Sequence, residues 1–283
     1  MRVLVTGGCG FLGRVVTREL LARGYDVDVL TRGSDGVEGA GTVRADLREA
    51  MGPIAGKYDA IAHLAAPPSA RESFVDPLTF FDVIVGGTRN LLAAAGGQPR
   101  IVFASTNAVY GSAHDGRLSE DRSTHPESPY AAAKLAAEQI VDGYDAVTLR
   151  IFNIAGPYDT DPTRILPRIL TAAADGQPIA VNGDGIAVRD FVHVRDVAVA
   201  VVRSLEGPKG IYNIGTGEGV SVIDLIQAVE RITGRTVEVQ HNPPKPEPHS
   251  LIADITKARS ALGWRPEFSA LERIVSDAWK ARG

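Results

Sequence analysis

The amino-acid sequence predicts an α/β fold built on a doubly wound parallel sheet, and three observations lead to that prediction. The chain begins with a short β-branched run, a glycine-rich turn and an amphipathic helical stretch. Apolar runs of strand length then alternate with helical stretches as far as about residue 155. The 283 residues are 44% hydrophobic and 23% charged, which is ordinary for a globular protein with a sizeable core.

The first turn is the most informative segment of the chain. Arg2–Thr6 is predicted to be a buried strand, and apolar spacing predicts a helix over residues 12–23 that ends before Gly24. Between them, Gly7-Gly8-Cys9-Gly10-Phe11-Leu12-Gly13 contains both G-x-G-x-x-G and G-x-x-G-x-x-G. A glycine turn in this setting lets the backbone approach a pyrophosphate, which the helix N-terminus attracts. The segment therefore predicts a Rossmann-type dinucleotide-binding turn; a tight structural turn without a ligand is the alternative.

The end of the second predicted strand, residues 27–30, bears on the choice of cofactor. NAD-binding folds usually carry an acidic residue there for the ribose hydroxyls, but this chain has Thr31-Arg32. A cation suits a 2′-phosphate better, so Arg32 favours NADP(H) and leaves NAD possible. The choice stays open, because Asp28 and Asp35 are nearby and a shift of register would change the interpretation. Arg32 is otherwise an ordinary solvated loop charge.

Later parts of the chain continue the alternation of strands and helices. A long helical stretch is predicted over residues 77–95, interrupted by Gly86-Gly87. The third predicted strand ends at Asp46 and Leu47, where the carboxylate could meet an adenine. His63 lies in an apolar run and is expected to be buried and hydrogen-bonded rather than a ligand. The further predicted strands are residues 43–47, 59–66, 100–105 and 146–152.

Three polar residues near the predicted carboxyl edge of the sheet form the candidate catalytic group. Ser128-Pro129 fits an N-cap followed by proline, so a helix is predicted to begin there. Tyr130 and Lys134 then share one helix face, where the ammonium is expected to favour ionisation of the phenol. Thr106 follows the fifth strand, and its hydroxyl could hold a substrate oxygen beside Tyr130, a candidate general acid/base. An exposed Tyr/Lys pair without a function is the alternative.

Motifs that occur together in one protein family lie along nearly the whole chain. The matching segments are residues 5–13, 63–66, 105–111, 128–134, 150–153, 156–157, 182–185, 189–194, 212–215 and 253–264. In these segments the sequence resembles the extended short-chain dehydrogenase/reductase family. The resemblance is to its NAD-dependent epimerase/dehydratase group, which acts on nucleotide sugars.

The resemblance implies a role for each matched position. Thr106, Tyr130 and Lys134 correspond to the catalytic Ser/Thr, Tyr and Lys of the family. Thr106, Asn153 and Arg189 correspond to positions that contact the nucleotide sugar, with Arg189 at its diphosphate. No metal site is implied. The positions implied to bind the cofactor are Gly7, Gly10, Phe11, Leu12, Gly13, Arg32, Asp46, Leu47, Leu64, Ala65, Ala66, Tyr130 and Lys134.

Three departures from the family pattern limit what carries over. The usual acidic residue after the second strand is replaced at Thr31-Arg32. Dehydratase members carry Asp-Glu after the catalytic threonine, and Asn107-Ala108 at that place argues against 4,6-dehydration. Near the C-terminus, Pro244-Lys245-Pro246-Glu247 replaces an Arg-x-Gly-Asp stretch, so that only Lys245 could supply its positive charge.

We therefore predict an NAD(P)-dependent nucleotide-sugar epimerase of the 4-epimerase type, which exchanges a hydride at a sugar carbon. An NADPH-dependent nucleotide-4-ketosugar reductase is the alternative that Arg32 favours, and a non-catalytic NADP-binding regulatory protein is a remote one. The Rossmann-type domain is predicted over residues 1–155, with 188–213 returning to it. A smaller C-terminal substrate-binding domain is predicted from residues 156–187 and 214–283.

Net charge, the length of apolar runs and the cysteine count bear on the partners and the cellular location of the protein. A net charge of -4 gives no reason to expect nucleic acid or an anionic membrane as a partner. No apolar run is expected to reach the length of a membrane span, and no signal peptide is expected before the first strand. The single cysteine, Cys9, excludes an intramolecular disulfide and favours a reducing, cytoplasmic location.

A homodimer is predicted from the resemblance. Family members commonly pair through the long helix and the catalytic helix. Burial inside the monomer is the alternative for each apolar side chain that could supply this surface. These side chains are Phe80, Phe81, Leu92, Leu135 and Ile140.

Overall fold

A computed structural model describes residues 1–33, 35–54, 56–67, 69–96, 99–114, 116–244 and 248–282. The contribution expected of Lys245 lies outside these residues. The strands are Arg2–Thr6 (β1), Asp26–Thr31 (β2), Gly41–Arg44 (β3), Ala60–His63 (β4), Arg100–Thr106 (β5), Gly116–Leu118 (β6), Ala146–Ile151 (β7), Asn153–Ala155 (β8), Ile179–Asn182 (β9), Val188–Arg189 (β10), Phe191–His193 (β11), Gly210–Ile214 (β12), Val220–Ser221 (β13), Val239–Asn242 (β14) and Ser250–Ala253 (β15). The α-helices are Phe11–Ala22 (α1), Pro77–Phe81 (α2), Gly87–Ala95 (α3), Pro129–Val141 (α4), Ile165–Asp175 (α5), Val194–Ser204 (α6), Val222–Thr233 (α7), Thr256–Leu262 (α8) and Leu271–Lys280 (α9).

The main sheet organises the fold. Within the described residues it has seven strands in the order β12-β7-β5-β4-β1-β2-β3, and each neighbouring pair is parallel. The chain runs outward from β1 to β3 and then returns to the other side of β1 with β4. Such a reversal leaves a crevice at the carboxyl ends of the strands, where ligands bind in folds of this kind. The predicted doubly wound parallel sheet is confirmed.

Helices cover both faces of this sheet. On one face α1 and α6 pack together over Val3 and Val5. On the other face α3 and α4 pack over Leu4, Ile61 and Phe103. Val3, Leu4 and Val5 alternate between the two layers because successive side chains of a strand point to opposite faces. Both faces are therefore buried, as a parallel sheet requires.

A third hydrophobic cluster joins α5, α7 and α9 with strand β9. Most of it comes from residues 156–187 and 214–283, the segments predicted to form the substrate-binding domain. Residues 253–264 belong to a different cluster from the rest of these segments. Ala258 and Trp264 pack into the cluster that covers the α1 and α6 face of the main sheet. The division of the chain into two domains stays a prediction.

Two predicted strands end three residues earlier in the structure than the sequence predicts. The third strand is β3 rather than residues 43–47, so Asp46 and Leu47 lie in the following loop. There the Asp46 carboxylate accepts the amide of Arg48 at 3.0 Å, which closes a local turn in place of further strand pairing. The fourth strand is β4, and it ends where the next two backbone amides donate to the hydroxyl of Thr6.

The helical stretch Pro77–Ala95 is continuous, with a π-helical turn at Asp82–Gly86 in its middle. By length and composition it could cross a membrane, so the expectation that no apolar run reaches that length was wrong. This is weak evidence for a membrane, because the core helix of a globular protein passes the same test. Its Ile84 and Leu91 are buried in the layer on the main sheet.

The same helical stretch corrects part of the predicted dimer surface. Phe80 and Leu92 are buried inside the monomer, so neither side chain is available to a partner. Phe81 stays exposed, whereas Leu135 and Ile140 are partly buried and pack against the monomer's own core. The sequence period places these residues on a helix but does not say which side meets the sheet.

Candidate active site

The glycine turn between β1 and α1 forms a cradle of backbone groups. Gly7 has φ +70°, and a Cβ there would lie 2.8 Å from the Ala65 nitrogen, so a side chain would be both strained and crowded. A Cβ on Gly13 would lie 2.0 Å from the Gly7 carbonyl oxygen. Gly10 is the N-cap of α1 and has no side chain to accept a hydrogen bond, which leaves the first amides of the helix available to an anion. These features fit the pyrophosphate of a dinucleotide.

One cavity of about 1650 Å³ connects this cradle with the candidate catalytic group. The carboxyl ends of β1, β2, β4 and β5 form one wall, and residues of α5, β9 and β10 form the other. All sixteen residues that the sequence analysis placed in the site line this cavity. They are Gly7, Gly10, Phe11, Leu12, Gly13, Arg32, Asp46, Leu47, Leu64, Ala65, Ala66, Thr106, Tyr130, Lys134, Asn153 and Arg189.

Thr106 and Tyr130 lie together at the carboxyl edge of the sheet. Thr106 is the last residue of β5, and its hydroxyl accepts an amide of the following 3-10 turn at 3.2 Å. Ser128 caps α4 by accepting the amide three residues on at 3.2 Å, so the helix begins at Pro129 as predicted. Burial raises the pKa of Tyr130, whereas its hydrogen bond with Thr106 and the positive charge of Arg164 lower it.

Lys134 lies one helical turn after Tyr130, but its ammonium group faces β5. Its Nζ donates to the Ala104 carbonyl oxygen at 2.6 Å and lies 4.9 Å from the centroid of the Phe103 ring. Burial lowers the pKa of Lys134 to about 7, and the carboxylate of Glu138 opposes that shift. The expectation that Lys134 makes the phenol of Tyr130 easier to ionise is wrong for this structure. The ammonium is engaged with β5, and burial dominates the pKa of the phenol.

A buried ion pair holds the catalytic helix against the sheet. Arg150 Nη2 lies 2.8 Å from Glu138 Oε2, and the two side chains are only 5% and 1% exposed. The hydroxyl of Ser105 donates to the same carboxylate from the position just before the catalytic threonine. Tyr130, Lys134 and Glu138 are spaced by four residues and so share the helix face toward these strands. The ion pair fixes α4 against β7, and the Ser105 hydrogen bond fixes it against β5.

His63 links the glycine turn to the long helical stretch. Thr6 Oγ1 accepts two backbone amides at 3.2 Å, so its own proton goes to His63 Nδ1, 2.7 Å away. His63 Nε2 then donates to Thr88 Oγ1 at 2.9 Å, and Thr88 donates to the Ile84 carbonyl oxygen at 2.5 Å. Burial and the charge of Lys134 lower the pKa of His63 to about 3, so the ring is neutral. The expected buried, hydrogen-bonded histidine is confirmed.

Cations cluster where β2 meets the cavity. Arg32 follows the end of β2, and Arg14 and Arg18 of α1 line the same cavity. Arg48 Nη2 lies 2.6 Å from Asp46 Oδ2. Hydrogen bonds from Arg48, with the charge of Arg32 as a smaller cause, lower the pKa of Asp46 to about 2. The ionised carboxylate is bound to Arg48, and the remaining guanidinium groups give this end of the cavity a positive charge.

The residues expected to contact the nucleotide sugar lie on the opposite wall. Asn153 begins β8, and its Nδ2 donates to the Asp190 carbonyl oxygen at 3.1 Å. Arg189 lies in β10, and its Nη1 donates to the carbonyl oxygens of Val188 at 2.8 Å and Pro248 at 3.1 Å. These contacts fix both side chains at the cavity wall.

The structure adds a loop that the sequence analysis missed. Asp159, Asp161 and Arg164 line the cavity between β8 and α5. The Cζ atom of Arg164 lies 5.3 Å from the centroid of the Phe11 ring, so this loop reaches across to the glycine turn. No motif marks these residues. The available signal was a polar run directly after a strand, at the edge of the sheet where ligands bind.

The glycine cradle and Tyr130 open into one cavity, so a proton transfer at this phenol could be coupled to a bound dinucleotide. Such coupling is characteristic of the short-chain dehydrogenases/reductases, whose fold this chain shares. Residues 3–215 match the model of the NAD dependent epimerase/dehydratase family. The chain belongs to that family and is an enzyme of its extended type.

Relatives and solved structures agree with this assignment over the full length of the chain. The UDP-glucose 4-epimerase of Corynebacterium glutamicum is 33% identical, over 99% of this chain and 95% of the relative. The enzyme of the same name from Streptomyces lividans is 34% identical over 99% and 95%. The Thermus thermophilus UDP-glucose 4-epimerase complex with NAD superposes with a TM-score of 0.90 and 35% identity, covering 100% and 99% of the two chains. The Thermotoga maritima enzyme with UDP-glucose has a TM-score of 0.90 and 28% identity over 100% and 98%.

Proposed function

We propose that the protein is an NAD(P)-dependent nucleotide-sugar 4-epimerase that acts on a UDP-hexose. The observation that carries the proposal is that Thr106, Tyr130 and Lys134 open into the same cavity as the glycine cradle. Support for the substrate comes from relatives named UDP-glucose 4-epimerase, which align with 99% of the chain.

Each residue of the site has a separate role in the proposed epimerisation. Tyr130 takes the proton of the sugar C4 hydroxyl and later returns it, while the Thr106 hydroxyl orients that oxygen. Bound NAD(P) supplies reversible hydride acceptance at the same carbon. Lys134 is expected to hold the nicotinamide ribose. Arg189 is expected to bind the substrate diphosphate, because its guanidinium fork matches phosphate oxygens.

The residues after Thr106 favour epimerisation over 4,6-dehydration. Dehydration needs an additional acid/base pair to move a second proton. The cavity wall after Thr106 offers Asn107 and Ala108, whose side chains cannot act as acid and base near neutral pH. We therefore place the reaction at C4 alone.

We further propose that the cofactor site prefers NADP(H) over NAD(H). Arg32, Arg14 and Arg18 line the end of the cavity near β2, and guanidinium groups suit a 2′-phosphate. An NADPH-dependent 4-ketosugar reductase is the second candidate function, because a reductase must bind and release reduced cofactor in each turnover. The cytoplasmic location likewise stays a prediction.

We also propose a homodimer that forms through an apolar patch. We define the patch as Phe74, Val75, Leu78 and Phe81, which lie between the end of a 3-10 turn and the end of α2 and are 63%, 86%, 75% and 39% exposed. Exposed apolar side chains grouped within residues 74–81 are candidates for a protein interface. α2 also packs against the catalytic helix α4.

The test is conversion of UDP-galactose to UDP-glucose by the purified protein, followed by NMR or chromatography, together with mass spectrometry of released ligands. Tyr130→Phe should lower turnover by at least about a hundredfold, because it removes the acid/base proton. Tyr25→Phe is the matched control, since Tyr25 lies outside the cavity and should leave turnover unchanged. If the parent exchanges no C4 epimers but oxidises NADPH with a 4-ketosugar, the reductase is correct.

A further inference from the structure

The contact between Arg164 and Phe11 crosses the cavity. Arg164 stands at the N-terminus of α5, on the substrate side of the cavity, and Phe11 is the first residue of α1, in the cofactor turn. The guanidinium carbon lies 5.3 Å from the centroid of the Phe11 ring, within the range of a cation–π contact. The contact therefore joins the two walls of the cavity at the helix end that attracts the cofactor pyrophosphate.

Two carboxylates orient this guanidinium without saturating it. Arg164 Nη1 lies 3.4 Å from Asp159 Oδ2, and Nε lies 3.5 Å from Asp161 Oδ2. Both distances exceed the 2.7–2.9 Å that is usual for a charge-assisted hydrogen bond. Within the described part of the chain, Nη2 makes no hydrogen bond. The Arg164 guanidinium is therefore held in place by the two carboxylates and keeps N–H donors for a further anion.

The loop itself is built to hold this geometry. The amide and hydroxyl of Thr163 both donate to Asp161 Oδ1, at 2.9 and 2.7 Å, and the Arg164 amide donates to the Asp161 carbonyl oxygen at 3.2 Å. Tyr158, which begins the loop, has φ +68°, an uncommon conformation for a residue other than glycine. The Asp159 side chain is only 3% exposed. Arg164 thus projects from an ordered loop rather than from a freely moving one.

We infer that Arg164 is a clamp residue, which reaches over Phe11 from the substrate side and retains the dinucleotide between turnovers. The inference rests on the proposed function, because an epimerase reuses one cofactor whereas a reductase must exchange it. The guanidinium stacks on Phe11 and donates to the pyrophosphate bound at the start of α1. The positive charge of Arg164 also favours the phenolate of Tyr130. The same side chain therefore contributes both to holding the cofactor and to the acid/base chemistry.

The experiment measures cofactor release rather than turnover. Parent protein loaded with NADH or NADPH is mixed with an excess of the oxidised form, and the loss of bound-cofactor fluorescence gives the dissociation rate. Arg164→Gln should raise that rate by about tenfold or more, the effect of losing one charge-assisted hydrogen bond. The dissociation rate of Arg164→Lys should lie between those of the parent and Arg164→Gln, because lysine keeps the charge but loses the planar stacking surface. Phe11→Leu should also speed release.

The matched control is Arg235→Gln. Arg235 makes a similar contact, 5.6 Å from the centroid of the Trp279 ring, away from the cavity. Its replacement should leave cofactor release unchanged. Release from folded Arg164→Gln and Phe11→Leu within twofold of the parent rate overturns the clamp and leaves the epimerase proposal standing. A parent that binds neither dinucleotide overturns both.

Discussion

The role proposed for Tyr130 requires its phenol to ionise, and the groups around the phenol set its pKa. Burial opposes the loss, while the hydrogen bond with Thr106 and the charge of Arg164 favour it. Lys134, the expected helper, directs its ammonium at the Ala104 carbonyl oxygen. The positive charge that lowers the pKa of Tyr130 thus comes from Arg164, on the opposite wall of the cavity, and the spacing of Tyr130 and Lys134 alone does not reveal it.

Arg32 allows a residue-scale test of cofactor choice. The parent is expected to bind NADPH more tightly than NADH, and Arg32→Ala should remove most of that preference. A charge-assisted hydrogen bond to the 2′-phosphate contributes about 1.5–3 kcal/mol, or roughly ten- to a hundredfold in affinity. Fluorescence titration of both cofactors measures it. Arg44→Ala is the control, because Arg44 is exposed and lies outside the cavity. A parent that arrives with NAD+ bound and ignores NADPH contradicts the prediction.

His63 should make the protein less stable in acid. The unfolded chain takes up a proton on this histidine near pH 6.5, but the buried ring resists protonation down to about pH 3. As the pH falls, proton uptake thus favours the unfolded state, by about 2 kcal/mol between pH 7.5 and pH 5.

His63→Gln tests this, because glutamine keeps one acceptor and one donor but does not titrate. Urea unfolding at pH 7.5 and pH 5 should show a smaller loss of unfolding free energy in the variant than in the parent. An equal loss in both proteins would mean that other groups carry the acid sensitivity.

At the scale of elements, two N-caps can be compared for their effect on turnover: the cap of α4, which carries the candidate catalytic residues, and the cap of α7, which does not. Ser128 caps α4, which carries Tyr130 and Lys134, and Ser221 caps α7 through the Asp224 amide at 3.0 Å. Ser128→Ala and Ser221→Ala should each cost about 1 kcal/mol of unfolding free energy. Only Ser128→Ala should also lower turnover, because it loosens the start of the helix that positions the phenol. Equal turnover in both variants would contradict this.

The elements also differ in how far local sequence determined them. β1, the glycine turn and α1 were predicted almost to the residue, because a β-branched run, fixed glycines and a helical period are all local signals. The end of β3 was not, because the Asp46 carboxylate closes a turn with Arg48. The membrane-length run Pro77–Ala95 was misjudged for a related reason, since its apolar content reflects burial on the sheet.

At the scale of the whole molecule, the apolar patch formed by Phe74, Val75, Leu78 and Phe81 predicts a homodimer. Leu78→Glu should yield a monomer by light scattering at micromolar concentration, because burying an unpaired carboxylate in an interface is unfavourable. Ile186→Glu is the control, since Ile186 is also 52% exposed but lies outside the patch. A parent that is already monomeric would contradict the prediction.

The sequence by itself determined the parallel sheet and the glycine turn, and it was enough to select Thr106, Tyr130 and Lys134 as the candidate catalytic residues. These depend on local periodicity and on motifs with fixed spacing. Tertiary structure decided which way Lys134 points, that Phe80 and Leu92 are buried, and that Arg164 reaches Phe11. The reason is physical: a helical period gives a face but not its partner, and a contact between distant loops leaves no pattern in the sequence of either.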